Sequence, residues 1–310
     1  MALGFICTAF LQRLYAEVCP PWSENMDAKV IDFHTHIGKV KSWSSNLLGS
    51  VDANVDDLVE YMSTFEVERA VVLPVAAHYV DIGEEVASTR QVLEAVRGHE
   101  DALVPFCAVD PAETDALEKI RSFAERGCRG FGEHKVELPV DHPLSQRVYA
   151  LCGRLGIPVL VHLDERFNPN VKRYEEMIRS YSDVQFIAHG PAWWASVSAD
   201  VKPGETYPTG KVEEPGDAPR ILSDYSNAFA DISATSGLNA LSRDREFALE
   251  FLSNCHDKIV YGTDFPCIHP SGTQFGPNSL HLDLLRSLKL PEEALSAITR
   301  DNARRLLGFR

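Results

Sequence analysis

The feature that most constrains the fold is a series of eight short apolar runs that alternate along the chain with segments of helical periodicity. The apolar runs lie at residues 30–38, 69–75, 102–109, 130–135, 157–162, 184–191, 228–233 and 258–266. The helical segments lie at residues 55–65, 84–96, 115–125, 144–155, 172–181, 245–252, 280–288 and 292–307. This is the spacing of βα units, so we predict an α/β fold with one (β/α)₈ TIM barrel.

The alternative fold is a doubly wound open sheet. That fold needs a glycine-rich phosphate loop between an early strand and a helix. The only Gly-x-Gly of the chain, at Gly130 and Gly132, lacks the third glycine and leads into no helix start. The sequence therefore favours the barrel.

The barrel is predicted to span residues 28–310 as a single domain, because no second run of strands and no break in composition marks a further boundary. Residues 1–27 are predicted to be an N-terminal extension, either a helix on the outside of the barrel or a segment that precedes a natural start at Met26. Its apolar stretch, residues 3–11, is as short as the core of a signal peptide but has no positive flank and no clear cleavage site. A long Gly/Pro/Thr-rich segment from Trp193 to Pro219 is predicted to be a functional loop after the sixth strand.

Composition narrows the class of protein and its partners. The chain is 45% hydrophobic and 24% charged, as is typical of a soluble enzyme. Its formal net charge of -15 argues against nucleic acid as a partner, because phosphate-backbone binding needs a basic surface. The 7 cysteines are scattered without a Cys-x-x-Cys, which favours a reducing compartment, so we predict a cytoplasmic protein. No apolar run is long enough for a membrane span, and the expected partners are a small-molecule substrate and, through the apolar N-terminal stretch, a second copy of the chain.

Polar side chains end five of the predicted strands, where strand propensity alone would not place them. They are His34, His36, Glu133, His162, His189 and Asp264. Residues two apart on a strand share a face, so His34 and His36 project together. The carboxyl ends of barrel strands meet at one mouth. Four imidazoles and two carboxylates at that mouth predict a binuclear site for divalent ions, with zinc fitting best and manganese or iron also suitable.

The same residues resemble the amidohydrolase superfamily. The resemblance is carried by Asp32-Phe33-His34-Thr35-His36, by His162 and His189, and by Tyr261-Gly262-Thr263-Asp264-Phe265-Pro266. The C-terminal residues 298–308 are similar to its amidohydrolase-related branch, and the resemblance covers the chain from Val30 onward.

The resemblance implies a metal-dependent hydrolase with two ions. One ion would be held by His34, His36 and Asp264, and the second by His162 and His189. Glu133 stands where binuclear members have a bridging carboxylate, and single-metal decarboxylases of the branch usually lack it. Lys135, two residues further on, is the alternative bridging group, although a contact with a substrate carboxylate suits it better.

The expected reaction is attack of a metal-activated water on an amide, lactone or ester of a small molecule that can carry a carboxylate. Asp264 is predicted to act as the general base that takes the proton of this water, and then as the acid that passes it to the leaving group. The alternatives are a non-oxidative decarboxylase or lyase on the same barrel, a metal-dependent nuclease of the TatD type, and a metal-binding scaffold without activity.

Substrate-binding candidates lie at or just beyond strand ends. They are His78, Lys135, Trp193, Trp194 and His269, with Arg166 as a further cation. The two tryptophans would form a pocket wall or stack on a ring, with packing under the long loop as the alternative. The charged and imidazole side chains would hold an anionic group, with a solvated loop position as the alternative. Asp231 and Ser233, at the end of the seventh run, are expected to orient neighbouring groups of the site.

Overall fold

The computed structural model describes residues 29–41, 50–76, 85–202, 204–266 and 280–309. Within these ranges the strands are β1 Val30–Thr35, β2 Gly38–Lys41, β3 Ser50–Ala53, β4 Val67–Val72, β5 Glu85–Val86, β6 Leu103–Pro105, β7 Phe131–His134, β8 Val159–His162, β9 Phe186–His189, β10 Ala228–Asp231 and β11 Ile259–Val260. The predicted extension, residues 1–27, lies outside the described residues and stays a prediction.

Eight of these strands form the predicted parallel barrel. β1, β4 and β6 make one parallel sheet, and β7 to β11 make another in chain order. A parallel bridge between Cys107 and Phe131 joins the sheets on one side, and a bridge between Thr35 and Phe265 joins them on the other. The (β/α)₈ prediction is confirmed.

Helices surround the strands. They are α1 Val55–Thr64, α2 Thr89–Ala95, α3 Ala116–Glu125, α4 Pro143–Leu155, α5 Val171–Ser180, α6 Pro191–Ala195, α7 Asp217–Asp224, α8 Ala234–Ser242, α9 Arg245–Cys255, α10 Leu280–Ser287, α11 Glu292–Ser296 and α12 Asn302–Leu306. Local chemistry sets several of their ends. The Asn54 side chain caps α1 by accepting from the backbone N–H groups of Asp56 and Asp57. Helix α4 begins with proline and ends at Gly156, whose φ of 65° suits glycine. No helix of the described residues is long and apolar enough to span a membrane.

Apolar side chains from the barrel strands fill the interior. This cluster contains Ile31, Phe33, Val71, Val104, Leu160, Ile187, Phe229 and Val260, each at most 3% exposed. Strand β7 and the residue before it carry glycines at the positions where large side chains of neighbouring strands pack against them. A Cβ at Gly130 would lie 2.2 Å from the ring of Phe106, and one at Gly132 would lie 2.9 Å from Cβ of Leu160. Both positions therefore need glycine if the neighbouring large side chains are to fit.

The structure differs from the predicted elements on the side of β2. There, β2, β3 and β5 form an antiparallel three-stranded sheet that was not predicted. The helix expected from residue 84 begins only at Thr89, because Glu85 and Val86 pair with β2. The eighth barrel strand is also shorter than predicted. It ends at Val260, and Asp264 takes a left-handed φ of 64°, which an extended strand does not allow.

The segment expected to be a long loop is shorter than predicted. Its first residues, including Trp193 and Trp194, belong to α6, and its last residues belong to α7. Between these helices, the described residues 196–202 and 204–216 carry neither helix nor strand apart from a bridge between Ser198 and Pro215. Helix α8 was not predicted, since its Ser- and Gly-containing sequence has a weak helix propensity. The final predicted helix is interrupted by a π-helical turn, Ala297–Asp301, between α11 and α12.

Candidate metal centre

Two imidazoles meet at the end of β1. His34 Nε2 and His36 Nε2 are 3.1 Å apart, and both side chains are buried. The opposite ring nitrogen of each is held by an acceptor. His36 Nδ1 lies 2.8 Å from the carbonyl oxygen of Leu73, and His34 Nδ1 lies 2.9 Å from Oδ2 of Asp231. These outer contacts turn both Nε2 atoms towards one point.

Asp264 completes this first group. Its Oδ1 lies 3.5 Å from His34 Nε2 and 3.3 Å from His36 Nε2. The backbone N–H of Asp264 donates to the carbonyl oxygen of His34 at 2.8 Å, which fixes the turn after β11 against β1. The buried Asp32 carboxylate strengthens this connection, because it accepts from the backbone N–H groups of His34 and Thr263 and from the Thr263 hydroxyl.

A second group overlaps the first. Ligand atoms of His34, Glu133 and His189 lie within 4.8 Å of one another, and so do those of His34, His36 and Asp264. Glu133 lies between the imidazoles, with Oε2 3.7 Å from His36 Nε2 and Oε1 3.8 Å from His189 Nε2. The structure thus brings together five of the six predicted ligands in two groups that share His34.

The sixth predicted ligand, His162, is connected to the centre through Glu133. Its Nδ1 lies 2.5 Å from Glu133 Oε1, and its Nε2 lies 3.0 Å from Asp164 Oδ2. Both ring nitrogens therefore face carboxylates, and His162 belongs to neither of the two groups of close ligand atoms among the described residues. Its role as a ligand of the second ion stays a prediction.

Buried charges shift the acidities in this centre. Burial alone would raise the pKa of Glu133, but His162, Lys135 and His189 hold it well below its usual range. Burial would likewise lower the pKa of His189, but Asp231, Glu133 and Asp264 outweigh it and raise the pKa to about 9. Burial opposes the ionised form of Asp231 too, and His189 and His34 nevertheless lower its pKa. The centre is thus a set of mutually stabilised carboxylates and imidazoles.

The donor atoms fit a divalent cation. The Leu73 carbonyl can only accept, so His36 Nδ1 carries the proton and Nε2 of the neutral ring is a lone pair. The ionised Asp231 imposes the same state on His34. Two lone pairs 3.1 Å apart, with a carboxylate oxygen beside them, repel one another unless a positive charge lies between them. Imidazole nitrogen and carboxylate oxygen are ligands of zinc and related divalent ions.

A pocket of about 540 Å³ opens onto these residues. Its lining includes His36, Glu133, His162, His189 and Asp264. One wall carries Lys135, Arg166 and Phe167, with Lys135 Nζ 5.0 Å and the Arg166 guanidinium 4.7 Å from the centre of the Phe167 ring. The lining also includes Tyr207 and Ser236, and the carboxylate side chains Asp164 and Glu165. The pocket therefore combines this cationic wall, formed by Lys135 and Arg166, with the ion-binding groups and two further carboxylates.

The predicted substrate residues divide into three sets. Lys135 and Arg166 lie on the pocket wall as expected from their positions after strand ends. Trp193 and Trp194 do not, which corrects the expectation that they form the wall. Helix α6 turns both into the hydrophobic core, where they are 0% and 1% exposed and the Trp194 indole N–H donates to the carbonyl oxygen of Asp231. His78 and His269 lie outside the described residues.

The sequence prediction missed several residues of the site, among them Asp164, Phe167, Tyr207 and Ser236. Asp164 holds His162 Nε2, but strand β8 ends at His162, so strand alternation gave no reason to pair the two residues. Ser236 lines the pocket at 3% exposure, and its hydroxyl has no hydrogen-bond partner among the described residues. No sequence signal marked Ser236, because helix α8 itself was not predicted.

Comparison with known families agrees with this arrangement. The amidohydrolase family model matches residues 31–309. The chain belongs to the amidohydrolase family. No curated protein matches the chain.

Several solved structures share the fold of this chain. A TIM-barrel protein from Bordetella bronchiseptica is 16% identical, with 90% of this chain and 98% of that chain covered and a TM-score of 0.64. A probable 2-pyrone-4,6-dicarboxylic acid hydrolase from Acinetobacter baumannii, with citric acid bound, is 15% identical, with 91% and 100% covered and a TM-score of 0.60. A 5-carboxyvanillate decarboxylase from Novosphingobium aromaticivorans, complexed with manganese and 4-hydroxy-3-methoxy-5-nitrobenzoic acid, is 10% identical, with 83% and 81% covered and a TM-score of 0.53. At these identities the likeness is one of fold, and hydrolases and decarboxylases share it.

Proposed function

We propose that this amidohydrolase is a hydrolase that uses two divalent ions to cleave an amide, lactone or ester bond of a small carboxylated molecule. The observation that carries the proposal is the position of Glu133 between the imidazoles of the two ligand groups, 3.7 Å from His36 and 3.8 Å from His189. Bound ions would polarise the scissile carbonyl and lower the pKa of a water between them. Zinc suits the donor set best, and manganese or iron also fits it.

Within this proposal, Asp264 moves the proton. Its side chain is 18% exposed and lines the pocket, while Oδ1 faces His34 and His36. Its other oxygen is available to take a proton from the attacking water and to return it to the leaving group. The low pKa of Asp264, which His36 and His34 maintain against the effect of burial, keeps it ionised and ready to accept.

The cationic wall is the proposed contact for the substrate carboxylate. Lys135 and Arg166 both lie against the Phe167 ring on this wall, and Arg166 also pairs with the Glu137 carboxylate. A carboxylated substrate would lie between the wall and the ion-binding groups, with its scissile bond towards Asp264. The substrates named for the structural neighbours, a pyrone dicarboxylate and a carboxyvanillate, are anionic rings that suit such a wall.

One observation favours a second candidate, a non-oxidative decarboxylase with one ion. His162 has both nitrogens engaged by Glu133 and Asp164, and this contact would leave His34, His36 and Asp264 to hold a single ion. In that case Glu133 and His162 would form a paired acid and base beside the substrate rather than part of a second ion position.

Metal content and product analysis separate the two candidates. The purified protein would be loaded with zinc or manganese and its ions per chain counted by mass spectrometry. It would then be incubated with 2-pyrone-4,6-dicarboxylate and with 5-carboxyvanillate, and the products assayed for ring opening and for released CO₂. Two ions per chain with ring opening or another hydrolysis is the expected result. One ion per chain with CO₂ release would replace hydrolysis by decarboxylation.

A further inference from the structure

A single buried carboxylate contacts both groups of candidate ion ligands. Asp231 Oδ2 lies 2.9 Å from Nδ1 of His34, and Asp231 Oδ1 lies 3.1 Å from Nδ1 of His189. The Asp231 and His34 side chains are both 0% exposed, and that of His189 is 3% exposed. His34 belongs to both groups, with His36 and Asp264 in one and with Glu133 in the other, whereas His189 belongs only to the group with Glu133.

The chemistry of the contact sets the state of both rings. An ionised carboxylate has no proton to give, so His34 donates its Nδ1–H to Asp231, and His189 donates its Nδ1–H towards Asp231 Oδ1 and the Ser233 hydroxyl oxygen, which lies 2.9 Å from the same nitrogen. In the neutral form of each ring the nitrogen left as a lone pair is then Nε2, and both Nε2 atoms point into the centre. Ser233 helps to hold the carboxylate itself, since its backbone N–H donates to Asp231 Oδ1 at 2.9 Å and its hydroxyl also donates to that oxygen.

We propose that Asp231 is a positioning residue shared by the two ion positions, and that binding at both depends on this one side chain. The proposal rests on the two-ion site proposed above. Ion binding at the two positions is then coupled, because the one Asp231 carboxylate fixes the ring orientation and the tautomer of a ligand at each position. The shared contact also distinguishes Asp231 from Asp164, which contacts the single imidazole of His162.

The substitution Asp231→Asn tests this link with almost no change in volume. A carboxamide offers one acceptor oxygen and one NH₂ group, so it can satisfy only one of the two Nδ1–H donors. The other ring must present an unprotonated Nδ1 to the NH₂ group, which moves its proton to Nε2 and blocks that nitrogen as a ligand. The matched control is Asp164→Asn, which changes the partner of His162 alone.

These proteins and a further variant, Asp231→Leu, which offers neither ring an acceptor, would be stripped of metal and titrated with Zn²⁺ in competition with a chromophoric chelator. Wild-type protein is expected to bind two ions. Asp231→Leu should weaken both ions by about 10- to 100-fold, the usual cost of losing such a partner, Asp231→Asn should weaken at least one, and Asp164→Asn should weaken one at most. A single bound ion in wild-type protein would overturn the two-ion site, whatever the variants do. Wild-type affinity in Asp231→Asn, or a loss confined to one of two ions in Asp231→Leu, would overturn the shared role of Asp231.

A spectroscopic measurement on wild-type protein keeps the test valid if Asp231→Asn does not fold. Zinc-loaded protein labelled with ¹⁵N-histidine should show a protonated Nδ1 and a zinc-bound Nε2 for both His34 and His189. The resonances would be assigned with the single variants His34→Asn and His189→Asn. A zinc-bound Nδ1 on either ring would contradict the contact with Asp231 on which the proposal depends.

Discussion

Asp264 is the residue whose loss should affect chemistry most directly. The substitution Asp264→Asn keeps an oxygen near His34 and His36 but removes the group that accepts a proton. We expect kcat to fall by about 10²–10⁴-fold while the protein keeps some bound metal. Steady-state kinetics and metal analysis on the same preparation would measure both. A variant that retains a near wild-type kcat would show that another group moves the proton.

Ser236 gives a second prediction for a single residue. Its buried hydroxyl lacks a partner among the described residues, and Ser236 lines the pocket, so a hydrogen bond to a bound substrate would satisfy it. Ser236→Ala should raise KM by about 2- to 10-fold with little change in kcat, as expected for one uniform binding interaction.

The control for Ser236 is Tyr174→Phe. The Tyr174 hydroxyl is also buried without a partner among the described residues, but Tyr174 packs against Trp193 in the core. Removing either hydroxyl should leave the melting temperature unchanged or raise it slightly, because each is a buried polar group without a hydrogen bond. An equal KM in Ser236→Ala and wild-type protein would exclude Ser236 from substrate contact.

Residue types at strand ends were enough to predict the candidate ligands, because a ligand needs a specific atom at a specific barrel end. His34 and His36 illustrate this, since His34 lies near the end of the apolar strand β1 and His36 directly follows it. The direction of Trp193 and Trp194 could not be predicted, because it depends on helix α6, which starts directly after β9 and turns them inward. Asp164 required knowledge of which ring nitrogen of His162 faces outward.

At the scale of elements, side chains from helix α8 and the turn after it hold the segment between α6 and α7 in place. Arg243 donates to the carbonyl oxygen of Gly210 at 3.1 Å and to the Ser198 hydroxyl, and Asn239 donates to the carbonyl oxygen of Pro208 at 3.1 Å. This segment contributes Thr206 and Tyr207 to the pocket lining. The arrangement makes the segment a fixed wall of the pocket.

Arg243→Ala should loosen this wall. The variant loses two hydrogen bonds, each contributing about 0.5–1.5 kcal/mol, so local opening should become roughly 5- to 150-fold more frequent. Trypsin cleavage after Lys211 should accelerate accordingly, and KM should rise because Tyr207 is held less firmly. Arg220→Ala is the control, since Arg220 pairs with Glu175 and Asp217 outside this segment. Equal cleavage rates in the two variants would show that Arg243 does not anchor the segment.

The barrel topology could be predicted from the sequence, whereas the sheet of β2, β3 and β5 could not. Barrel strands are buried on both faces and read as apolar runs, as Val159–His162 does. Strand β2, Gly38–Lys41, contains two lysines, and β5 has only two residues, so neither has a recognisable pattern. These short strands exist because they pair with one another, which is information from outside each segment.

For the whole molecule, metal binding and proton binding should compete at His189. Its pKa of about 9 lies above the usual value near 6.5, so in metal-free protein the protonated ring contributes stability that is complete below about pH 6.5 and is lost as pH rises through 9. Protonated imidazole cannot bind an ion. Zinc affinity should therefore increase with pH by about tenfold per unit or more between pH 6.5 and 9.

The stability of the two forms should consequently diverge with pH. Over this range the metal-free protein loses the contribution of protonated His189 while the metal-loaded protein gains affinity for its ions, so the gap between their melting temperatures should widen. Thermal unfolding with and without a chelator measures this gap, and calorimetric titration in buffers of different ionisation enthalpy counts the protons released. His189→Asn should release about one proton fewer per chain. If the difference between the two melting temperatures stayed constant from pH 6.5 to 9, His189 would not exchange a proton for an ion. The carboxylates around His189 would then stabilise a protonated imidazole that does not bind metal.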